Sequence, residues 1–369
     1  MHLLLLACSS SPVPIDTDAD ADTDADADTD TDADSDTDTD TDTDTDSDLT
    51  CGGEPCGDGL ACTEDTCDAQ DRCVHTPVDV CDWPSALPPD VTALAGLEPD
   101  FGTSLSGATW NAETRELWVI RGNGATAWSL VETDTGWEIT REIALWSLDL
   151  ESVVVVDPIG APELLHVMVE HEEIVVAFDV SDPADPVEVG SWDTSQWLTT
   201  DGTAGSEALT FVPDAALAEW GFVDEDGLPR VSALGYGGLF FVGTQVEGMI
   251  HVFDLSATND TVERVGSYHT ARTDTSALEF DHDTGRLYIW HGGDDNDLEV
   301  ARLESVDLGG GERGLVTEAV FDYPGDDNLE GFALFGTEDC GAEGRPLVFT
   351  IDDGDERALD IYPDWPLCR

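Results

Sequence analysis

The chain has 369 residues, 40% of them hydrophobic, with 82 acidic residues against 13 basic ones and a formal net charge of −69. Every basic residue is Arg; the absence of Lys excludes Lys-based phosphate cradles, Schiff-base chemistry and Lys nucleophiles. Charge of this sign excludes nucleic-acid partners, which require clustered cations, and it attracts cations instead.

At the N-terminus, residues 1–8 read as a short signal. "LLAC" ending at Cys8 resembles the lipobox of bacterial lipoproteins, whose Cys carries lipid. The resemblance implies a membrane partner through an anchor on Cys8 and a place in the cell envelope. Ser9 after the Cys points to the outer membrane or to an exported, extracellular protein. Several acyl chains on one Cys give a stable anchor where a single chain does not. Residues 9–50 form a linker in which every second position from Asp16 to Asp48 is Asp, 17 in all. Like charges at this density hold the chain disordered and extended, and the alternating run reaches on the order of 110 Å when stretched. An EF-hand-type calcium loop would need a Gly turn and a distal Glu, and the run has neither.

Residues 51–83 carry Cys51, Cys56, Cys62, Cys67, Cys73 and Cys81 at close spacing. Little apolar content and an exported context predict a small disulfide-stapled module. Zinc is the rival, but no CxxC pair is present and only His75 lies nearby. "DGLACTEDTCDAQDRCVHTP" resembles short Cys-rich repeats of secreted and surface proteins in myxobacteria. Cys340 and Cys368 lie near the C-terminus; with Cys8 set aside the remaining eight form an even set, and a bond between these two would pin the end of the chain.

Residues 91–369 read as all-β. Short apolar strands recur between turn signals such as "NAET", "DPADP" and "DHDTG", the last explained as a hairpin turn at Gly285. The only helical turn expected is "DAALAEWG", with Asp214 as its N-cap. "IVVAFDVSDPADPVEVGSWDT" parallels "IHVFDLSATNDTVERVGSYHT". A second repeat begins near residues 104, 149, 205, 274 and 328: a small or acidic residue, an apolar strand, a turn and another apolar strand. Four-strand units of this length predict a β-propeller of five blades. Six blades stay open, because the third unit runs 69 residues. The last unit supplies three strands, near Leu329, Leu347 and Leu359, and "VTALAGL" (91–97) is expected to complete it as an N-terminal closing strand.

The first of the long copies resembles the LVIVD repeat of surface proteins. "LSGATWNAETRELWVI", "DLESVVVV", "DTSALEFDHDTGRLYIW" and "NLEGFALF" together resemble the SdiA-regulated family and its phytase-like propeller relatives. That resemblance implies an envelope or exported propeller, in some members with bound calcium.

The equivalent position at the head of each unit is Ser106, Glu151, Glu207, Ser276 and Glu330. In a propeller these converge on one axis, so the carboxylates require a cation, protons or hydrogen-bond donors. Calcium suits such an irregular set of oxygens. The alternative is that each Glu accepts backbone N–H bonds from the next blade and locks the ring. A further polar shell follows the second strands: Arg121, Gln245 and Asp352 as ligand-binding residues, and His171, His291 and Glu170 as acid–base candidates. In "VMVEHEEI", Glu170 matches the family's Glu-bearing strand end by resemblance. No GxSxG, HExxH or GxGxxG occurs. The expected function is a surface-tethered, calcium-binding propeller acting as a module for an unknown ligand or protein. Two alternatives stand beside it: a calcium-dependent hydrolase of lactonase, esterase or phytase-like type, and a structural envelope protein.

Overall fold

The computed structural model describes residues 50–56, 63–68, 72–77, 81–83, 101 and 105–365, apart from 135, 146–148, 157–163, 200–203, 294–295, 326–327, 341–343 and 352–357. The N-terminal part of the described chain carries five short strands: β1 (Thr50–Cys51), β2 (Glu54–Pro55), β3 (Thr63–Cys67), β4 (Cys73–Pro77) and β5 (Cys81–Asp82). Two disulfides staple it, Cys51–Cys67 and Cys56–Cys73. Four of the six thiols that a zinc ion could draw on are thereby consumed. Cys340 is also disulfide-bonded. Cys8, Cys62, Cys368 and the side chain of Cys81 lie outside the described residues.

Five antiparallel blades follow in chain order, the third and fourth joined at their outer strands by a short parallel pairing of Tyr268 and His269 with Arg313 and Gly314. The first blade is β6 (Leu105–Asn111), β7 (Glu116–Arg121), β8 (Thr126–Thr133) and β9 (Gly136–Ala144). The second is β10 (Leu150–Val156), β11 (Leu164–Val169), β12 (Ile174–Asp179) and β13 (Val187–Asp193). The third is β14 (Ser206–Pro213), β15 (Gly238–Thr244), β16 (Met249–Leu255) and β17 (Val262–His269). The fourth is β18 (Thr275–Asp281), β19 (Arg286–His291), β20 (Asp297–Gly309) and β21 (Glu312–Asp322). The fifth has three strands, β22 (Leu329–Leu334), β23 (Arg345–Ile351) and β24 (Leu359–Trp365).

The first strands β6, β10, β14, β18 and β22 neighbour one another in a closed cycle, β22 returning to β6. This is a five-bladed β-propeller. The length of the third unit is an excursion between β14 and β15, not a sixth blade. It holds the helix α1 (Asp214–Glu219) and an isolated bridge, Val223 to Pro229. Asp214 is not the N-cap: Pro213 occupies that position, and the Asp214 carboxylate accepts the Ser232 N–H at 2.7 Å.

Five apolar layers lie between the blades, one per interface. Trp110, Val348 and Phe335 join the first and fifth blades, and Ile120, Val153 and Val167 the first and second. Met168 and Val242 join the second and third, Phe241 and Ile289 the third and fourth, and Trp290 and Phe349 the fourth and fifth. A fully buried side chain of this size contributes roughly 1.5–3 kcal/mol, so each interface is an independent share of the ring's cohesion. Ring closure also uses polar contacts. Arg345 on β23, fully buried, binds Asp281 on β18 at 2.5 Å, and Trp290 Nε1 donates to the Leu329 carbonyl at 2.8 Å. Asp281 also accepts the Asp283 N–H at 3.0 Å, so it serves the hairpin closed at Gly285.

The segment 91–97, expected to complete the fifth blade, lies outside the described residues. The part of the N-terminal region that is described goes elsewhere: β5 pairs in parallel with β21 of the fourth blade, Cys81 opposite Phe321. Trp83 then packs among Tyr323, Phe349, Tyr362 and Trp365, at the junction of the fourth and fifth blades.

Candidate functional site: a carboxylate cluster at the heads of the inner strands

Each inner strand begins with a register shift against its second strand. The shifts fall between Leu105 and Gly107, Leu150 and Ser152, Ser206 and Ala208, Thr275 and Ala277, and Leu329 and Gly331. The extra residue is therefore Ser106, Glu151, Glu207, Ser276 or Glu330 in turn, the five positions read from the sequence. A bulge inserts one residue with no cross-strand partner and re-aims its side chain. The residue after each bulge is Gly, Ser, Ala, Ala or Gly, because adjacent inner strands approach closely there. A Cβ on Gly107 would lie 2.9 Å from the Glu151 carbonyl oxygen, and one on Gly331 2.5 Å from that of Ser106.

These bulges gather carboxylates. Burial pushes the Glu151 carboxyl up to about 8, and the charges of Asp149, Glu170 and Glu330 add to this, against the Ser106 hydrogen bond that lowers it. Glu207, 6% exposed, is held well above the ordinary carboxylate range by burial first, then by Glu151, Glu170 and Glu330. Glu207 and Glu170 share a hydrogen bond that pushes Glu207 up and Glu170 down. Burial also raises Glu170 and Glu173. Glu330 accepts the Asn328 side-chain amide at 2.6 Å. On the opposite side Ser276 donates to Asp274 Oδ1 at 2.8 Å. Asp149, Glu170 and His171 offer ligand atoms all within 4.8 Å of one another.

The remaining sequence candidates divide. Glu170 belongs to the cluster, and His171 stands at its edge, half-exposed, 3.7 Å from Asp149 Oδ2 and 3.7 Å from Glu170 Oε2. His291 is fully buried, its two ring nitrogens facing the Asp274 carbonyl and Glu299 Oε2, each at 3.0 Å. Arg121 turns to the scaffold, donating to the Phe101 carbonyl at 3.0 Å and lying over the Trp128 ring. Gln245 acts through its backbone, its N–H donating to the Gly205 carbonyl at 3.0 Å. Asp352 lies outside the described residues.

Asp149, Glu173 and Gly205 were not singled out by sequence reasoning. Asp149 had a legible signal, since an Asp or Asn stands two residues before the bulge in three units, at Asp149, Asp274 and Asn328. Glu173 had none, because its place follows from the turn that links β11 to β12.

The donor set is oxygen-rich and irregular, with one peripheral imidazole. Such a set fits calcium, which takes six to eight oxygens, better than magnesium, which demands a tight octahedron. A separate concavity of about 300 Å³, lined by Trp192, Tyr236 and Asn259 among others, lies between the second and third blades and holds none of these groups. Its nearby His166 is fully buried, faces the Tyr236 hydroxyl, and is pushed down to about 3 by burial, so it is no proton carrier near neutrality.

No family model matches the chain, and no curated protein matches it. Among solved structures, it is similar to a chain of a mitotic checkpoint complex, at 14% identity and a TM-score of 0.37, covering 71% of this chain and 74% of that one. It is likewise similar to the β-propeller domain of Cps50 (Swd1) from Myceliophteria thermophila, at 13% identity and a TM-score of 0.37, covering 70% of each. The assignment of a propeller therefore rests on this chain's own strand order and closed inner ring.

Proposed function

We propose that the chain is a surface-tethered binding module whose propeller holds calcium at the heads of its inner strands, with the lipid anchor on Cys8 and the Asp-rich linker setting it off an envelope membrane. The observation that carries the calcium reading is the convergence of Glu151, Glu207 and Glu330, on bulges of three different blades, with Glu170 against them. Burial and neighbouring carboxylates are the largest influences on Glu151 and Glu207. Buried like charges repel and require compensation. Ser106 and Ser276 extend the oxygen set from the other two blades.

Calorimetry of the chelator-treated full chain with calcium tests the reading. The expected result is saturable heat, a rise in melting temperature, and a loss of about tenfold or more in affinity for Glu330→Gln. Absence of both heat and thermal shift removes the metal, and unchanged affinity of the variant sinks the axial site.

A second reading, a calcium-dependent hydrolase, is favoured by one observation: the half-exposed His171 beside Asp149 and Glu170 at the rim. A bound cation polarises a carbonyl or phosphoryl oxygen, and a His–carboxylate pair moves the proton. Lactones, esters and phosphate esters are the substrates to screen with and without calcium. Turnover abolished by His171→Ala and by chelator supports this reading, and turnover surviving excess chelator refutes it.

A further inference from the structure

We propose that a second, off-axis calcium position lies between Glu170 and Glu173, against the backbone of Gly205, with Glu170 shared between the two positions. The proposal goes beyond the axial site and rests on different atoms. Glu170 is 5% exposed and Glu173 2% exposed, yet Oε1 of each is buried with no hydrogen-bond partner. Their other oxygens are engaged. Glu173 Oε2 accepts from the Ser206 hydroxyl, and Glu170 Oε2 faces His171 at 3.7 Å. An orphaned buried carboxylate oxygen costs the full desolvation of that atom, so two side by side identify a missing ligand.

Both oxygens point to one place. A Cβ on Gly205 would lie 2.7 Å from Glu173 Oε1 and 3.1 Å from Glu170 Oε1. A side chain does not fit there, and its absence lets the two carboxylate oxygens close over the same point of the backbone. An ammonium group offers hydrogen-bond donors but needs more space; a bare cation with an oxygen shell of 2.3–2.6 Å needs less. The surroundings hold the cradle rigid. The Glu173 carbonyl accepts both the N–H and the hydroxyl of the buried Thr194, at 3.0 and 2.6 Å, and Gly205 is tied through its carbonyl to the Gln245 N–H at 3.0 Å. His171 and Glu173 also hold positive φ, +67° and +53°, in one four-residue turn. Non-glycine residues keep such conformations only where the surroundings over-determine them.

Equilibrium dialysis of the full chain against calcium at 0.15 M salt, followed by metal analysis, tests the proposal, because salt screens weak condensation on the Asp-rich linker. The wild type is expected to hold two tightly bound ions, Glu330→Gln and Glu173→Gln one each, and Gly205→Ala one, its methyl forcing the Glu170 and Glu173 oxygens out of place. The circular dichroism spectrum of each variant shows whether it is folded. If Glu173→Gln does not fold, Gly205→Ala decides alone. Wild-type stoichiometry in a folded Glu173→Gln or Gly205→Ala overturns the off-axis position and leaves the axial one standing. One ion lost from these variants but none from Glu330→Gln overturns the axial site and leaves this one.

Discussion

At the scale of the residue, Glu207 shows the tension between stability and binding. Its carboxyl is buried, linked to Glu170, and surrounded by the charges of Glu151, Glu170 and Glu330. Without a cation, a second carboxylate ionising in this space is opposed by its neighbours. Gln has the same shape, carries no charge, and its amide donates to Glu170 as the protonated carboxyl does. Glu207→Gln should therefore stabilise the cation-free protein at pH 8 by about 1–2 kcal/mol, and it should shrink the further stabilisation that calcium provides. Thermal melting in chelator and in calcium measures both effects. For a domain of this size each kcal/mol moves the midpoint by about 2–4 °C. A lower midpoint in chelator would mean instead that the Glu207–Glu170 hydrogen bond is a structural lock, as in the interblade alternative.

At the scale of the element, the β-bulge explains both what was legible and what was not. Alternating apolar strands between turn residues reported the blades, and a carboxylate interrupting "NLEGFALF" or "GSEALTFV" marked the site. The bulge that turns Glu330 and Glu207 off the sheet was not legible, because register belongs to a pair of strands and no single run of residues encodes it. The small residue after each bulge is its trace: Gly331 sits 2.5 Å, by its would-be Cβ, from the Ser106 carbonyl oxygen, contact with a strand 225 positions earlier. His291 illustrates the opposite failure. It ends β19 and pairs with Thr275 as Val169 pairs with Leu150, one position short of the place Glu170 takes after β11, and β20 runs 13 residues and brings Glu299 over the ring, so the imidazole is enclosed. Asp214 failed for a local reason, since Pro213 supplies an extended N-cap and frees the carboxylate for Ser232.

At the scale of the whole molecule, in a chain of net charge −69, arginines among the described residues are committed to the scaffold. Arg141 holds Glu116, Arg286 and Arg302 hold Glu318, Arg272 holds Asp297, and Arg345 joins two blades through Asp281. These arginines are spent away from the carboxylate cluster, which is consistent with a site built for an external cation. The N-terminal module takes part in the same scaffold. β5 extends the fourth blade, and Trp83 fills the junction with the fifth, its ring centroid 5.3 Å from that of Tyr323 and 5.1 Å from that of Trp365. The fifth blade has three described strands, so an aromatic wedge on its open flank covers apolar surface that a fourth strand would cover elsewhere. Trp83→Ala removes that wedge and should cost about 3 kcal/mol, read as a lower urea midpoint at unchanged slope. Because the loss is confined to the junction of the fourth and fifth blades, calcium affinity at the carboxylate cluster should change little in the same variant. A midpoint equal to wild type would mean that the ring closes independently of the disulfide-stapled segment.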